Sequence, residues 1–424
     1  MSSPNSEEAA VSRKRILFDD VYRPEARVIH FLVSLVLFGV AYGLYRGVQD
    51  NYLAELNHIT PFERGIVEFF RELPGLLLIF ILALMYRFTD SRIYKIGIAI
   101  MAGSAAGLLL TSASPFFMTK LSVVAFMVIY SIGDHIVMPV RITISMDLAK
   151  REKAGASLGI TNALMQMGQI AGFVIITSLF FILARLGFSR TDILGYRIAY
   201  GMAVALMTSS ALIALAIRET TIKSQRRRFY FARKFVKYYM LEVFMGARRQ
   251  VFVTFAPYVL ILHYKADPSL MSLLYTVCAV LGMIFSPMVG RLIDKLGYKP
   301  VMVTFSSLLI FVCIMYGYAH WLFPPAVATV LVCVNFILDS TISLTSMANN
   351  VYVQRIAANQ EEITATLSTG MSVGHFISIF IALLGGWIWK TAGIEVLFAV
   401  SAFMGVLNTI YAASIKKSEE QRAG

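Results

Sequence analysis

Apolar runs of about twenty residues recur along almost the whole chain, and each is long enough to cross roughly 30 Å of hydrocarbon. The charge content agrees: Asp, Glu, Lys and Arg make up 15% of the 424 residues, and hydrophobic residues 58%. An ordinary soluble domain is nearer a quarter charged. A large buried helical core would need polar helices to cover it, and the sequence has too few. The expected fold is therefore an all-α polytopic membrane protein. Twelve spans can be read, at 28–52, 62–87, 93–113, 117–146, 156–186, 195–217, 238–263, 268–292, 299–319, 323–354, 362–391 and 393–415. Those longer than 25 residues imply tilt or protrusion into water.

The net charge of +13 follows the topology. Most of the Lys and Arg fall in the termini and in the loops on the terminal side, which places both termini in the cytoplasm and gives no reason to expect nucleic acid. Residues 1–27 form a polar tail without the apolar segment of a cleavable signal, so the first span serves as the targeting signal. The segment 218–237, within RETTIKSQRRRFYFARKFVKYY (218–239), is a basic linker between two halves, 28–217 and 238–415. Its Arg/Lys and Phe/Tyr suit a helix on an anionic membrane surface. Residues 416–424 form a short second tail. Cys278, Cys313 and Cys333 all fall within spans, so no disulfide framework or metal cluster is implied. No Asn-x-Ser/Thr acceptor occurs, which fits a bacterial inner membrane.

The halves repeat at about 205 residues. Arg87-Phe-Thr-Asp90 recurs as Arg291-Leu-Ile-Asp294, Tyr94-Lys95 as Tyr298-Lys299, Asp134 as Asp339, and Gly168-Gln169 as Gly374-His375. A period this long indicates two duplicated six-helix bundles, an arrangement in which transporters place the solute near mid-membrane. The segment GRLIDKLGYKP (290–300) then resembles the cytoplasmic loop motif of the major facilitator superfamily, Gly-x-Leu-x-Asp-Arg/Lys-x-Gly-x-Lys/Arg. In it Gly290 would allow close helix contact, Gly297 a sharp turn and Asp294 a cation or helix N-terminus as partner. Arg291, Lys295 and Lys299 would hold the loop on the cytoplasmic side. The first copy, MYRFTDSRIYK (85–95), keeps Arg87 and Asp90 but has Tyr86 and Ile93 in place of the glycines.

A charged side chain at a helix centre costs about 2.5–3.5 kcal/mol on insertion scales, so several together imply partners or a wet cavity. Span one carries Arg46 and Asp50, four apart and on one face. Span two carries Arg64, Glu68, Arg71 and Glu72 as a single stripe. Arg46 and Arg71 sit at similar depth, so an ion-pair network between these spans is expected. Span four holds Asp134, His135 and Arg141; span seven holds Glu242, Arg248 and Arg249; span ten holds Asp339 and Asn349-Asn350; span eleven holds His375. The resemblance implies that spans one, four, seven and ten line a central cavity, which puts Arg46, Asp134, Arg141, one of Arg248 and Arg249, and Asp339 near a solute path. Neighbouring residues on a helix point about 100° apart, so one of the two arginines faces the cavity and the other braces a neighbour. Glu242 shares a face with Arg249, which favours Arg248 for the solute side.

The expected function is secondary active transport of a small solute by alternating access, coupled to an ion, proton or sodium. The arginines suit an organic anion through bidentate carboxylate or phosphate binding, although near-balance with the acids favours internal pairs. Asp134, Asp339, His135 and His375 are the groups able to change charge between states. The sequence leaves open a drug or metabolite efflux antiporter, a lipid flippase and a non-transporting membrane sensor. Span five lacks the Gly-Pro element of the superfamily's drug antiporters, and the short loops and linker give no reason to expect an appended soluble domain. Without a phosphate loop, nucleophile elbow or metal-ligand spacing, neither enzyme activity nor a metal or cofactor is expected. Superfamily members commonly act as monomers.

Overall fold

The computed structural model describes residues 20–23, 25–85, 87–113, 119–150, 153–217 and 231–415. Among them there is no strand, only an isolated bridge from Tyr22 to Ala149. That bridge ties the start of the described chain to the end of the fourth span, with Lys150 N donating to Val21 O at 2.9 Å. The surface helix expected in the linker falls mostly at 218–230, outside the described residues, as do most of the two tails.

The first half comprises α1 (Ala26–Asn51), α2 (Pro61–Leu76), α3 (Leu78–Leu84), α4 (Asp90–Ala113), α5 (Lys120–Leu148), α6 (Ala154–Arg185) and α7 (Ile193–Ala214). The second comprises α8 (Val236–Tyr258), α9 (Pro268–Leu296), α10 (Tyr298–Leu322), α11 (Pro325–Ile342), α12 (Ser346–Ile356) and α13 (Gln360–Ala413). Among the described residues nine helices are long and apolar enough to cross a membrane, one of them the 49-residue stretch Ala365–Ala413. At 1.5 Å per residue this stretch would reach about 74 Å. It is broken at Gly393, with φ 90° and ψ 175°, into two passes. The two remaining passes are α2–α3 and α8. The first is divided at Leu77 into helices of 16 and 7 residues, and the second carries Glu242 and the paired arginines. The twelve passes of the sequence reading are all present, in two bundles of six.

Two spans are less regular than their sequences suggest. The second breaks at Leu77, three residues after Pro74, whose ring removes a helical donor. The tenth breaks between α11 and α12 through a tight turn, Ser343–Thr345. No Pro or Gly lies there. Instead the hydroxyl-rich run STISLTS bends the helix, with Thr341 Oγ1 donating back to Ile337 O at 3.0 Å.

The duplication extends to unusual local geometry. The first helix of each half ends in a five-residue π-helical turn, Tyr52–Leu56 and Val259–His263. Each turn is followed by a non-glycine residue at positive φ, His58 at 50° and Lys265 at 58°. Next comes a capping residue and a proline, Thr60-Pro61 and Asp267-Pro268. The lysines of the repeated loop segment also act alike: Lys95 Nζ donates to Ile217 O at 3.0 Å and Lys299 Nζ to Ile415 O at 2.6 Å, each closing the end of its bundle's last helix.

Among the described residues, contacts between the bundles gather at the face opposite Tyr22 and Ile415. Asn51 Nδ2 donates to Ala266 O at 2.9 Å, and Ser272 Oγ to Gly47 O at 3.0 Å. Thr177 and Ser269 exchange hydroxyl-to-carbonyl bonds of 3.4 and 3.0 Å. Gly65 of α2 lies against Ala382 and Gly386 of α13. These contacts position the charged residues between the bundles.

Candidate functional site

The expected network between the first two spans is present and larger than expected. Arg64, fully buried, donates from Nη2 to Asp50 Oδ1 at 3.3 Å and from Nη1 to Glu68 Oε2 at 2.6 Å. Arg71 takes the same Glu68 from the other side with a two-pronged grip, Nε to Oε2 at 2.9 Å and Nη2 to Oε1. Arg46 Nη2 lies 3.5 Å from Asp50 Oδ2, and Arg71 Nη2 lies 3.4 Å from Glu72 Oε1. Three cations and three carboxylates thus alternate across α1 and α2. Desolvated charges of this kind are tolerable only when paired and hydrogen-bonded.

The second bundle completes the network. Tyr275 donates its hydroxyl to Asp50 Oδ2 at 2.8 Å, Gln250 Nε2 reaches Glu68 Oε1 at 3.4 Å, and His375 Nδ1 lies 2.8 Å from Glu72 Oε2. Arg64, Glu68, Gln250 and Tyr275 complete the site without belonging to the candidate set read from the sequence. The i+4 stripe pointed to the first two. Nothing in an apolar run marks the last two.

The fork of Arg248 and Arg249 is resolved against the sequence expectation. Arg248 is 2% exposed; its Nη1 pairs with Asp339, and its Nη2 donates to Ser343 Oγ at 3.1 Å. The break after α11 supplies that serine. Arg249 lines a cavity of about 230 Å³ together with Arg46, Phe252, Tyr275, Phe336 and Asp339. Among the described residues Arg249 has no ion-pair partner. Glu242, on the face it shares with Arg249, accepts from Asn349 Nδ2 at 2.9 Å. Arg248 therefore braces, and Arg249 faces the open space.

Asp134 and Arg141 on α5 are both half-buried and have no ion-pair partner among the described residues. His135 stands beside them and meets His375 across the bundles, with ring centroids 5.4 Å apart. The loop motif departs from expectation at Gly290, where an added Cβ would meet nothing within 4 Å, so this glycine is not at a tight helix contact. Arg291, Asp294 and Lys295 are exposed. Gly297 makes the expected turn, with φ 82°. In the first half Ile93 cannot adopt that conformation. The turn occurs earlier, α4 begins at Asp90, and Arg87 is in the loop before it.

Two six-helix bundles enclosing a charged cavity near mid-membrane define a membrane carrier. The Major Facilitator Superfamily model matches residues 31–379 and 238–423; the chain belongs to that superfamily and is a multi-pass membrane transporter by fold. Among solved structures it is similar to the nucleoside transporter NupG, at 13% identity and TM-score 0.69 over 92% of this chain and 100% of that one. It is similar to a D-xylose-proton symporter at 14% and 0.71, over 92% and 98%. A POT peptide transporter in complex with alafosfalin matches at 12% and 0.68, over 97% and 98%. A search of the curated proteins finds no match.

Proposed function

We propose that this chain is a secondary active transporter that moves a small organic anion by alternating access, with Arg249 as the primary anchor. One observation carries the reading: in the cavity wall, Arg46 is shared with Asp50 and Asp339 is engaged by Arg248, while Arg249 is left without an ion-pair partner among the described residues. The wall thus has a guanidinium to spare, and such a fork suits a carboxylate or phosphate. Phe252, Tyr275 and Phe336 would flank an apolar or planar body. A cationic drug would find no free carboxylate there. The size, about 230 Å³, lies below the range of drug-sized sites and favours a small metabolite.

The Lys/Arg bias supports termini in the cytoplasm of a bacterial inner membrane. With the cross-bundle contacts gathered on the opposite face, the described state would then be open inward. Coupling is assigned to Asp339, which faces Arg248 directly and Arg46, Arg249, Tyr275 and Cys278 across the cavity. A proton or sodium ion arriving at Asp339 would loosen its pairing with Arg248 and so link ion binding to the brace beside the solute.

The test is a thermal-shift screen of the purified protein against carboxylates, phosphates, sugars and nucleosides, followed by uptake in proteoliposomes. An anion should stabilise wild type, fail to stabilise Arg249→Ala and partly stabilise Arg249→Lys. Asp339→Asn should retain exchange but lose accumulation. A neutral ligand that stabilises wild type and Arg249→Ala equally would overturn the reading.

A further inference from the structure

Glu72 of α2, His135 of α5 and His375 of α13 are far apart in sequence, yet one ligand atom from each lies within 4.8 Å of the others. We propose that these three residues form a binding site for a borderline-soft divalent cation, of which zinc is the type, clasped between the two bundles.

The donor set, two imidazoles and one carboxylate, suits zinc, cobalt or nickel and is poor for magnesium or calcium, which take oxygen. The surroundings already orient the ligands. His135 Nδ1 lies 2.8 Å from Ser131 O. A carbonyl only accepts, so Nδ1 carries the proton and Nε2 keeps a free lone pair. Nε2 points at Gly75: a Cβ built there would lie 2.6 Å from it and 3.0 Å from His375 Nδ1. Glycine at this position leaves open the space between the two rings. On the carboxylate, Arg71 lies against Oε1 at 3.4 Å, and Oε2 faces His375 at 2.8 Å. Outer contacts of this kind are what fix ligand direction in metal sites. A tetrahedral ion with bonds of 2.0–2.1 Å places its ligands about 3.3 Å apart. The remaining ångström or so is a matter of side-chain rotation.

Binding would replace the direct contact between His375 Nδ1 and Glu72 Oε2. A metal joined to Glu72 and His135 of one bundle and His375 of the other would hold the bundles in the described relation. The cation would therefore inhibit the cycle rather than serve as cargo.

The test uses the full-length protein in detergent, titrated calorimetrically with zinc chloride and, in parallel, with magnesium chloride. Cobalt chloride provides an optical readout through tetrahedral d–d absorption. Zinc should bind with one site per chain, and cobalt should show the tetrahedral bands. Glu72→Gln, His135→Ala and His375→Ala should each weaken zinc by more than the 10–100-fold typical of losing an outer-shell partner. His30→Ala, at a ring on α1 that among the described residues bonds to its own helix at Ala26 O, should bind zinc like wild type. His375→Cys restores a ligand and should recover binding if His375→Ala loses it through metal chemistry rather than misfolding. Zinc affinity unchanged from wild type in all three ligand variants, or a magnesium response matching zinc, would overturn the site. Because the readout is binding, the outcome does not depend on which solute is carried.

Discussion

At the scale of single residues, the adjacency of Arg248 and Arg249 is explained by two tasks on neighbouring directions of one helix. The sequence showed that only one could face the cavity, because of the 100° step. It could not show which, because the deciding partners, Asp339 and Ser343, lie more than ninety residues away. The face shared with Glu242 favoured Arg248 for the cavity, whereas Arg249 is the one that lines it. The two arginines should therefore fail differently. Arg248→Ala strands Asp339 in a desolvated pocket, and removing one partner of a buried pair costs about 3–5 kcal/mol. Its melting temperature should fall clearly in a detergent thermal-shift measurement, whereas Arg249→Ala should melt close to wild type. Equal melting of the two would show that the Arg248 pair does not brace the second bundle.

At the scale of elements, the first and fifth spans approach so closely that their backbones touch. Gly39 and Gly43 of α1 face Gly168 and Gly172 of α6: a Cβ at Gly172 would lie 2.7 Å from Leu44 N and 2.8 Å from Gly43 Cα. Small residues four apart on both helices permit this in lipid, where packing and not water exclusion drives association. Gly172→Val should thus depress folded yield and melting temperature sharply, while Gly290→Ala should be tolerated or gain slightly, since its Cβ meets nothing. Fluorescence size-exclusion profiles of the two variants would decide it. Span positions were readable because twenty apolar residues can do little else, and the duplication was readable because matching residues sat at one spacing. The breaks at Leu77 and Ser343 were not, because a kink depends on which neighbours re-satisfy the freed backbone groups. Nor were the paired π-turns at Tyr52–Leu56 and Val259–His263, which leave no compositional mark.

At the scale of the whole molecule, the question is which face is sealed and what seals it. The bonds joining the bundles run from Asn51–Ala266 inward to Glu72–His375. Glu72 lies eleven residues into a helix that starts at the far face, about 16 Å deep, so the seal ends near mid-membrane. Under the proposed alternating access, turning over would require all of these bonds to part together. The outermost include neutral bonds worth about 0.5–1.5 kcal/mol each and one with a charged donor, Arg190 Nη1 to Lys265 O at 2.6 Å, so each is small enough to break singly. Freezing one such contact should then stop the cycle without unfolding anything. Thr177 and Ser269 are well placed because they exchange bonds across the bundles. In a background lacking Cys278, Cys313 and Cys333, the double change Thr177→Cys with Ser269→Cys should cross-link with a short thiol reagent. Transport in proteoliposomes should fall to the level of empty vesicles and return on reduction. Neither single cysteine should respond. Full transport by a fully cross-linked sample would mean that the far face need not open, and the rocking of two bundles around a central charge network would have to be abandoned.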